Sequence, residues 1–332
     1  MKVLHINNVA NVPDGLVKGL KKVGVDATLY QPYTGINKSG KFGKLRVITN
    51  RITDARALAA QIRKERYDIV HIHYAYFGVL GILGGYPYWL HCHGTDIRRN
   101  LYHPLFKTPT TMSLNRADKV FYSTPDLKVH ADKVRPDAMF LPNPIQTEMF
   151  EPKGFDGTHG KVLLISRIDK VKGIDLAFSA LEKLKKRNPS VQIDAFLWGP
   201  DLERFKDKDF VNFIPKVTHQ EIAQLIPNYR VIIGQFELGI MGMSEMEAMA
   251  CARPVISVFE YGDWYAETPP LISSREEDEI VERTEELLGN TKLCEEIGVA
   301  GRDWVVKYHD YVSVAERLAK IYEEGRSPSP TI

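Results

Sequence analysis

Short apolar runs alternate with stretches of helical period along the chain. Runs of this kind, bounded by Gly, Pro, Asn and Asp, read as strands. They fall at Lys2 to Ile6, Asp26 to Tyr30, Asp68 to His73, Tyr88 to His93, Lys119 to Ser123 and Ala138 to Pro142. A second series follows at Lys161 to Ser166, Gln192 to Gly199, Val211 to Pro215, Val231 to Phe236 and Pro254 to Phe259. Strands alternating with helical patterns are the signature of parallel sheets joined by crossover helices, so the expected class is α/β with two similar Rossmann-like sheets. The stretch from Asn143-Pro144 to His159-Gly160 is rich in Pro and Gly with little periodicity, and marks the boundary. Open parallel sheets bind ligands beyond the carboxyl ends of their strands. Two such domains facing each other would form a deep cleft.

Helix starts are spelled as capping boxes at Thr218-His219-Gln220-Glu221, Ser244-Glu245-Met246-Glu247 and Ser274-Arg275-Glu276-Glu277. From Ser274 to Glu324 the pattern is almost wholly helical, and the tail over 326–332, with Ser327-Pro328-Ser329-Pro330, reads as disordered.

Composition narrows the function. A formal net charge of +2 argues against a general nucleic-acid binder, which would carry a basic excess. Cys92, Cys251 and Cys294 are sparse and lack metal-type spacing, which points to reduced thiols and a cytoplasmic protein. The opening Met1-Lys2-Val3-Leu4-His5-Ile6 is too soon polar for a signal peptide, and no run reaches the length of a membrane span. Membrane contact is expected only as a peripheral association at the cytoplasmic face.

Two stretches carry candidate chemistry. Arg167 closes an apolar run, and Lys172-Gly173 follows after a tight loop. Two such cations can neutralise a departing diphosphate without a metal. Read alone, Arg-x-x-x-x-Lys is more often a solvated basic turn. Further on, Glu247 is expected in the first turn of a helix leading into a strand, placed to bind the two hydroxyls of a ribose. The backbone amides of Met243 and Ser244 and the helix dipole would favour an anionic phosphate there. The plain alternative is that Glu247 only caps the helix. Gly15, in the turn Asn11-Val12-Pro13-Asp14-Gly15, could bring a backbone amide to the donor, or close an ordinary strand-helix turn.

His71 and His73 share one strand face, as do His91 and His93, because the side-chain period of a strand is two. A metal site is conceivable, but the favoured reading for His71 and His91 is hydrogen-bonded strand residues without shared geometry. Asp207-Lys208-Asp209 has a metal-binding spelling within a dense charged turn, and a solvated turn is expected, with no required metal. Arg98 and Arg99 suit an anionic acceptor, as does the basic stretch Lys38 to Lys44, although solvated loops are the simpler account of the latter. Asn37-Lys38-Ser39 spells a glycosylation sequon that a cytosolic protein would not use. Trp264 lies in a loop after a strand and would either stack on a base or sugar, or pack in the core.

At this point the chain resembles the retaining glycosyltransferases of the GT-B fold, the group 1 or family 4 type that includes glycogen synthases and sucrose synthases. The resemblance is carried by Asp68-Ile69-Val70-His71-Ile72-His73, His93-Gly94-Thr95-Asp96, Leu141-Pro142-Asn143-Pro144-Ile145 with Phe150-Glu151-Pro152, Arg167, Lys172-Gly173, and Glu247-Ala248-Met249-Ala250 with Pro254-Val255. It implies an acceptor-side domain over 1–146 completed by a helix over 311–325, and a donor domain over 147–310. It implies that Arg167 and Lys172 bind the donor diphosphate, Glu247 the ribose, and His93 the transferred sugar, with Asp96, Arg98 and Arg99 toward the acceptor. The activity implied is transfer of a hexose, with retention of configuration, from a nucleotide-diphosphate sugar to a hydroxyl of a glycan or lipid-phosphate acceptor in carbohydrate biosynthesis. No cofactor beyond the donor is implied. The family's usual second glutamate, eight positions before Glu247, is Gly239 here. A nucleotide-sugar epimerase of the same fold, or a binding scaffold without catalysis, are the alternatives.

Overall fold

The structure is a computed structural model that describes residues 1–32 and 43–325. Most of the basic stretch from Lys38, the Asn37 sequon and the Ser327-Pro328-Ser329-Pro330 tail lie outside the described residues. The chain forms two compact units, one comprising Met1–Pro144 with Tyr311–Ile332, the other Ile145–Asp310.

The first unit holds strands β1 (Lys2–Ile6), β2 (Asp26–Tyr30), β3 (Ile69–His73), β4 (Trp89–Cys92), β5 (Val120–Tyr122) and β6 (Met139–Phe140). They form one six-stranded sheet in the order β2-β1-β3-β4-β5-β6, all parallel. The second unit holds β7 (Lys161–Leu164), β8 (Gln192–Phe196), β9 (Asn212–Ile214), β10 (Val231–Ile233), β11 (Val255–Ser257) and β12 (Ile272–Ser273). These form a second parallel six-stranded sheet in the order β12-β11-β10-β7-β8-β9. Every residue of β3, β4 and β10 is buried, as a parallel sheet covered on both faces requires.

Helices α1 (Val12–Lys22), α2 (Gly43–Glu65), α3 (Val79–Gly84), α4 (Thr95–Arg98), α5 (Lys107–Arg116) and α6 (Lys128–Ala131) belong to the first unit. The second has α7 (Ile174–Arg187), α8 (His219–Leu225), α9 (Met243–Ala250), α10 (Glu277–Gly289) and α11 (Thr291–His309). The chain then re-enters the first unit as α12 (Tyr311–Gly325). Helix α1 shows why α12 docks where it does. Its buried face carries Leu16 and Leu20, and a Cβ on Gly19 would lie 2.2 Å from the Tyr311 carbonyl oxygen and 2.8 Å from Ala315 Cβ. Glycine alone permits that approach of two helix backbones. In the second unit Phe178 and Leu181 of α7 pack with Ile280 and Val281 of α10 on one side of the sheet. Met246 and Met249 of α9 join Trp304 and Val305 of α11 in a separate cluster. The three cysteines are free and buried, as small apolar residues would be.

Two of the three expected capping boxes differ from expectation. The box at Thr218 and Glu221 is formed in full. At Ser244 it is not, because Gly242, in extended conformation, starts α9 two residues earlier. Glu245 then occupies the third helical position and turns its carboxylate back to the Gly242 backbone. Glu247 therefore stands beyond the first turn and caps nothing. Helix α10 begins at Glu277, with Glu276 rather than Ser274 preceding it; Ser274 Oγ instead bonds Glu279 at 2.6 Å.

Candidate active site

Strands β10, β7 and β8 are neighbours and parallel, so the segments leaving their carboxyl ends emerge on one edge of the second sheet. The segment after β7 carries Arg167 and Lys172. The one after β8 carries Trp198, and the one after β10 carries Gln235 and leads into α9 with Glu245 and Glu247.

Arg167 pairs with Asp169, and its guanidinium lies 5.7 Å from the Trp198 ring centre. Lys216 Nζ approaches the same ring at 4.1 Å, so one indole serves two cations. Arg167 Nε is buried and makes no hydrogen bond. The Asp169 side chain also accepts from the Val171 amide, capping the short turn Lys170–Lys172. Gly173 closes that turn at φ 68°, where a Cβ would lie 2.9 Å from the Glu237 nitrogen. This fixes the path of the backbone that presents Lys172. Lys172 Nζ donates to Gln235 Oε1 at 2.8 Å. Gln235 donates its own amide to Glu245 Oε1 at 3.0 Å and its side-chain nitrogen to the Ile240 carbonyl at 2.8 Å. Burial pushes the Glu245 carboxyl up, opposed by the Lys172 charge and by the amides of Gln235 and Gly242. Glu247, also buried, meets His219 Nε2 of α8 at 2.8 Å through Oε1.

Gly239 adopts φ 64°, a region that disfavours side chains, and a Cβ there would lie 2.4 Å from Glu260 Oε2. The carboxylate beside this position thus comes from Glu260, on the segment after β11, and it pairs with Arg275.

The remaining expected site residues belong to the first unit. His93 follows β4 and is half-buried; burial pushes its imidazole down to about 3, so the ring is neutral near pH 7. Asp96 is fully buried and accepts from the backbone amides of Ala75, His93, Gly94 and Ile97. It builds the turn after β4 and is not open to an acceptor, contrary to the sequence expectation. Arg98 is held by Asp126 through Nε at 2.9 Å, which leaves Arg99 as the exposed member of that pair. Gly15 is buried, its amide bonds the Asn11 carbonyl at 3.0 Å, and a Cβ on it would lie 3.2 Å from Pro144 Cγ. It packs a helix and offers no amide to a ligand.

The histidines differ most from expectation. His5 of β1 pairs in register with His71, and His73 with His91, so the imidazoles of three adjacent strands gather on one face of the sheet. Their rings lie 4.6 Å apart for His71 and His73 and 4.3 Å apart for His91 and His93. The two His pairs therefore do share geometry. His91 is fully buried, and its ring nitrogens have the Leu141 backbone beside them but no well-formed hydrogen bond. Asp207, Lys208 and Asp209 form an exposed turn, as expected.

Two family descriptions match the chain: Glycosyltransferase Family 4 over residues 9–149 and Glycosyl transferases group 1 over residues 145–304. This chain belongs to the group 1 glycosyltransferases of the GT-B fold. An uncharacterised glycosyltransferase of Methanocaldococcus jannaschii is 24% identical over 97% of this chain and 93% of its own. Among solved structures, sucrose-phosphate synthase from Thermosynechococcus elongatus aligns with a TM-score of 0.75 at 15% identity, covering 98% of this chain and 99% of that one. Anabaena HepE in complex with UDP-glucose aligns at 0.71 and 13% identity, covering 98% and 100%. The glycosyltransferase fold thus extends over nearly the whole chain. Among the described residues no helix is long and apolar enough to cross a membrane.

For this glycosyltransferase the structure brings Arg167, Lys172, Glu247, Met243 and Ser244 to one edge of the second sheet, while His93, Asp96, Arg98, Arg99 and Gly15 lie in the first unit. Sequence reasoning missed Gln235, His219 and Trp198. Gln235 carried a legible signal, since it stands two residues past the end of a buried strand. His219 was read only as part of a capping box. Trp198 carries no signal in the sequence, because the four tryptophans are dispersed along it.

Proposed function

We propose that the chain transfers a hexose from a nucleoside-diphosphate sugar to a hydroxyl of a glycan or lipid-linked acceptor, with retention of configuration and without a metal. The observation that carries this reading is the convergence of Arg167, Lys172 and Glu247 on the carboxyl edge of one parallel sheet, where α/β sheets receive their ligands. Arg167 and Lys172 take the charge that develops as the bond from the sugar carbon to the diphosphate breaks and the electron pair leaves with the phosphate. The acceptor oxygen then bonds that carbon on the face the diphosphate leaves, and its proton passes to the released diphosphate oxygen. Glu247 binds the ribose through the carboxylate oxygen not engaged by His219. His93 acts on transfer rather than on donor affinity, and exposed Arg99 is the cation available to an anionic acceptor. UDP-glucose, present in the HepE complex, is the first candidate donor to test.

A thermal-shift panel of nucleoside-diphosphate sugars tests the donor side, because a ligand bound only by the folded chain raises the melting temperature as its concentration exceeds Kd. At least one donor should raise it, and Glu247→Gln should reduce the shift. A panel with no shift from any donor would end the reading. Analysis of the product's anomeric configuration tests retention.

A further inference from the structure

A run of hydrogen bonds leads from His93 into the core of the first unit. His93 Nε2 lies 2.9 Å from His73 Nδ1, and His73 Nε2 lies 2.8 Å from His5 Nδ1. His5 Nε2 lies 3.3 Å from the Tyr322 hydroxyl on α12, which lies 2.6 Å from His71 Nδ1. His5, His71, His73 and Tyr322 are fully buried. Burial holds the imidazoles in the neutral form near pH 7. A neutral imidazole has one N–H and one lone pair.

That restriction leaves two self-consistent patterns. Each bond needs one hydrogen, and His73, His5 and Tyr322 each supply one. If His73 donates to His93, then His5 must donate to His73, Tyr322 to His5 and His71 to Tyr322. If His73 donates to His5, every bond reverses. The distances select between these. A hydroxyl donor gives the shorter bond and a ring N–H the longer one. The 2.6 Å contact fits Tyr322 donating to His71, and the 3.3 Å contact fits His5 donating to Tyr322. All bonds then run inward from His93.

We propose that His73, His5, Tyr322 and His71 form a hydrogen-bonded chain that fixes the proton of His93 on Nε2 and leaves Nδ1 as a lone-pair acceptor. His93 would then accept a hydrogen bond from a hydroxyl of the transferred sugar or of the acceptor, and would not donate one. This consequence rests on the transfer role given to His93 above. His73, His5 and Tyr322 are positioning residues that act through His93.

The competing use of these side chains is metal binding. The ligand atoms of His5, His71 and His73, and of His73, His91 and His93, each lie within 4.8 Å of one another. Both nitrogens of His5 and of His73 are, however, already satisfied within the chain. The nearby Asp96 carboxylate is engaged by four backbone amides. A divalent ion in either triad would be buried among neutral ligands without counter-charge.

Histidine-selective 15N labelling of the full chain, read by long-range proton–nitrogen correlation at pH 7, tests the proposal. His93 should show a protonated Nε2 and an unprotonated Nδ1. In Tyr322→Phe, and independently in His5→Gln, the His93 nitrogens should move toward the shifts of a tautomer mixture. Turnover should fall several-fold in both variants, with donor affinity unchanged. A proton on His93 Nδ1 in the wild type, or unmoved His93 nitrogens in both variants, would overturn the proposal. So would stoichiometric binding of Zn2+ or Co2+ that abolishes the histidine couplings. If the tautomer is as stated but His93→Ala turns over normally, the chain stands and the transfer role of His93 fails instead.

Discussion

Removing the guanidinium of Arg167 isolates the donor side at a single position. Its planar head is held by Asp169 and faces Trp198, so its geometry is set before any ligand arrives. If it contributes about 3 kcal/mol only when the diphosphate departs, Arg167→Ala lowers kcat on the order of a hundredfold. Arg167→Lys does not restore it, because an ammonium cannot reproduce the planar fork of donors that a guanidinium offers a diphosphate. Steady-state transfer kinetics measure both, and an unchanged kcat in the alanine variant removes Arg167 from the reaction. Gly239 poses a different question. Its positive φ and the nearby Glu260 carboxylate mean that Gly239→Ala should destabilise the second unit by about 1 kcal/mol. Gly239→Glu should cost more, since it sets a second carboxylate against Glu260. Denaturant midpoints of the two variants give the comparison, and a Gly239→Glu variant as stable as the wild type would contradict it.

At the scale of elements, the capping box of α8 connects stability to the site. Thr218 accepts from the Glu221 amide, Glu221 accepts from the Thr218 amide, and the next residue, His219, reaches Glu247. Thr218→Ala should cost about 1 kcal/mol. It should also weaken donor binding, because the first turn of α8 holds His219. Chemical denaturation and donor titration of the same variant check the two effects, and loss of stability with full donor affinity would uncouple them. The elements themselves were largely legible: β1 and β2 fall at the residues their apolar runs specify. The expected strands overran at their carboxyl ends, as at Ser166, Gly199 and Phe236, because apolar character continues into the turns that carry the site. The strand Ile272–Ser273 was missed, being too short to form a pattern. The start of α9 was misread because a capping-box spelling at Ser244 competes with Gly242, and only backbone geometry decides between them. Arg167 and Lys172 were readable because they follow the close of an apolar run, and Glu247 because its segment resembles the family's donor site, although its place in the helix was misjudged. The contact among His5, His71, His73, His91 and His93 was not, because it depends on β1, β3 and β4 being adjacent, and strand order is not written in local pattern.

For the molecule as a whole, those buried histidines set the response to acid. His5 and His93 are pushed from 6.5 to about 3 by burial, and His71, His73 and His91 are pushed well below 6.5 by burial with added repulsion from neighbouring rings. An unfolded chain takes up these protons near pH 6.5, while the folded chain does not. The unfolded state therefore binds more protons below pH 6.5, and stability falls as pH falls from about 6.5 toward 3. Each unmatched proton is worth ~1.4 kcal/mol per pH unit. Domain stabilities are only ~5–15 kcal/mol, so five such groups are enough to unfold the first unit within about two pH units. Asp96 and Asp118 work in the opposite sense, because burial pushes their carboxyls up and the folded state takes those protons first. They are two groups against five imidazoles. The first unit should therefore lose structure between about pH 6 and pH 4.5, above the range in which ordinary carboxylates are protonated. Trp89 is the tryptophan of that unit; Trp198, Trp264 and Trp304 report on the other. A chain keeping Trp89 as its sole tryptophan, followed by fluorescence during acid titration, would show the transition. His91→Leu should shift it to lower pH, since it removes one proton from the unfolded side and replaces a ring whose nitrogens lack a well-formed hydrogen bond in the folded state. A first unit that stays folded to pH 4, or a His91→Leu transition at the wild-type pH, would show that these imidazoles take up protons without unfolding.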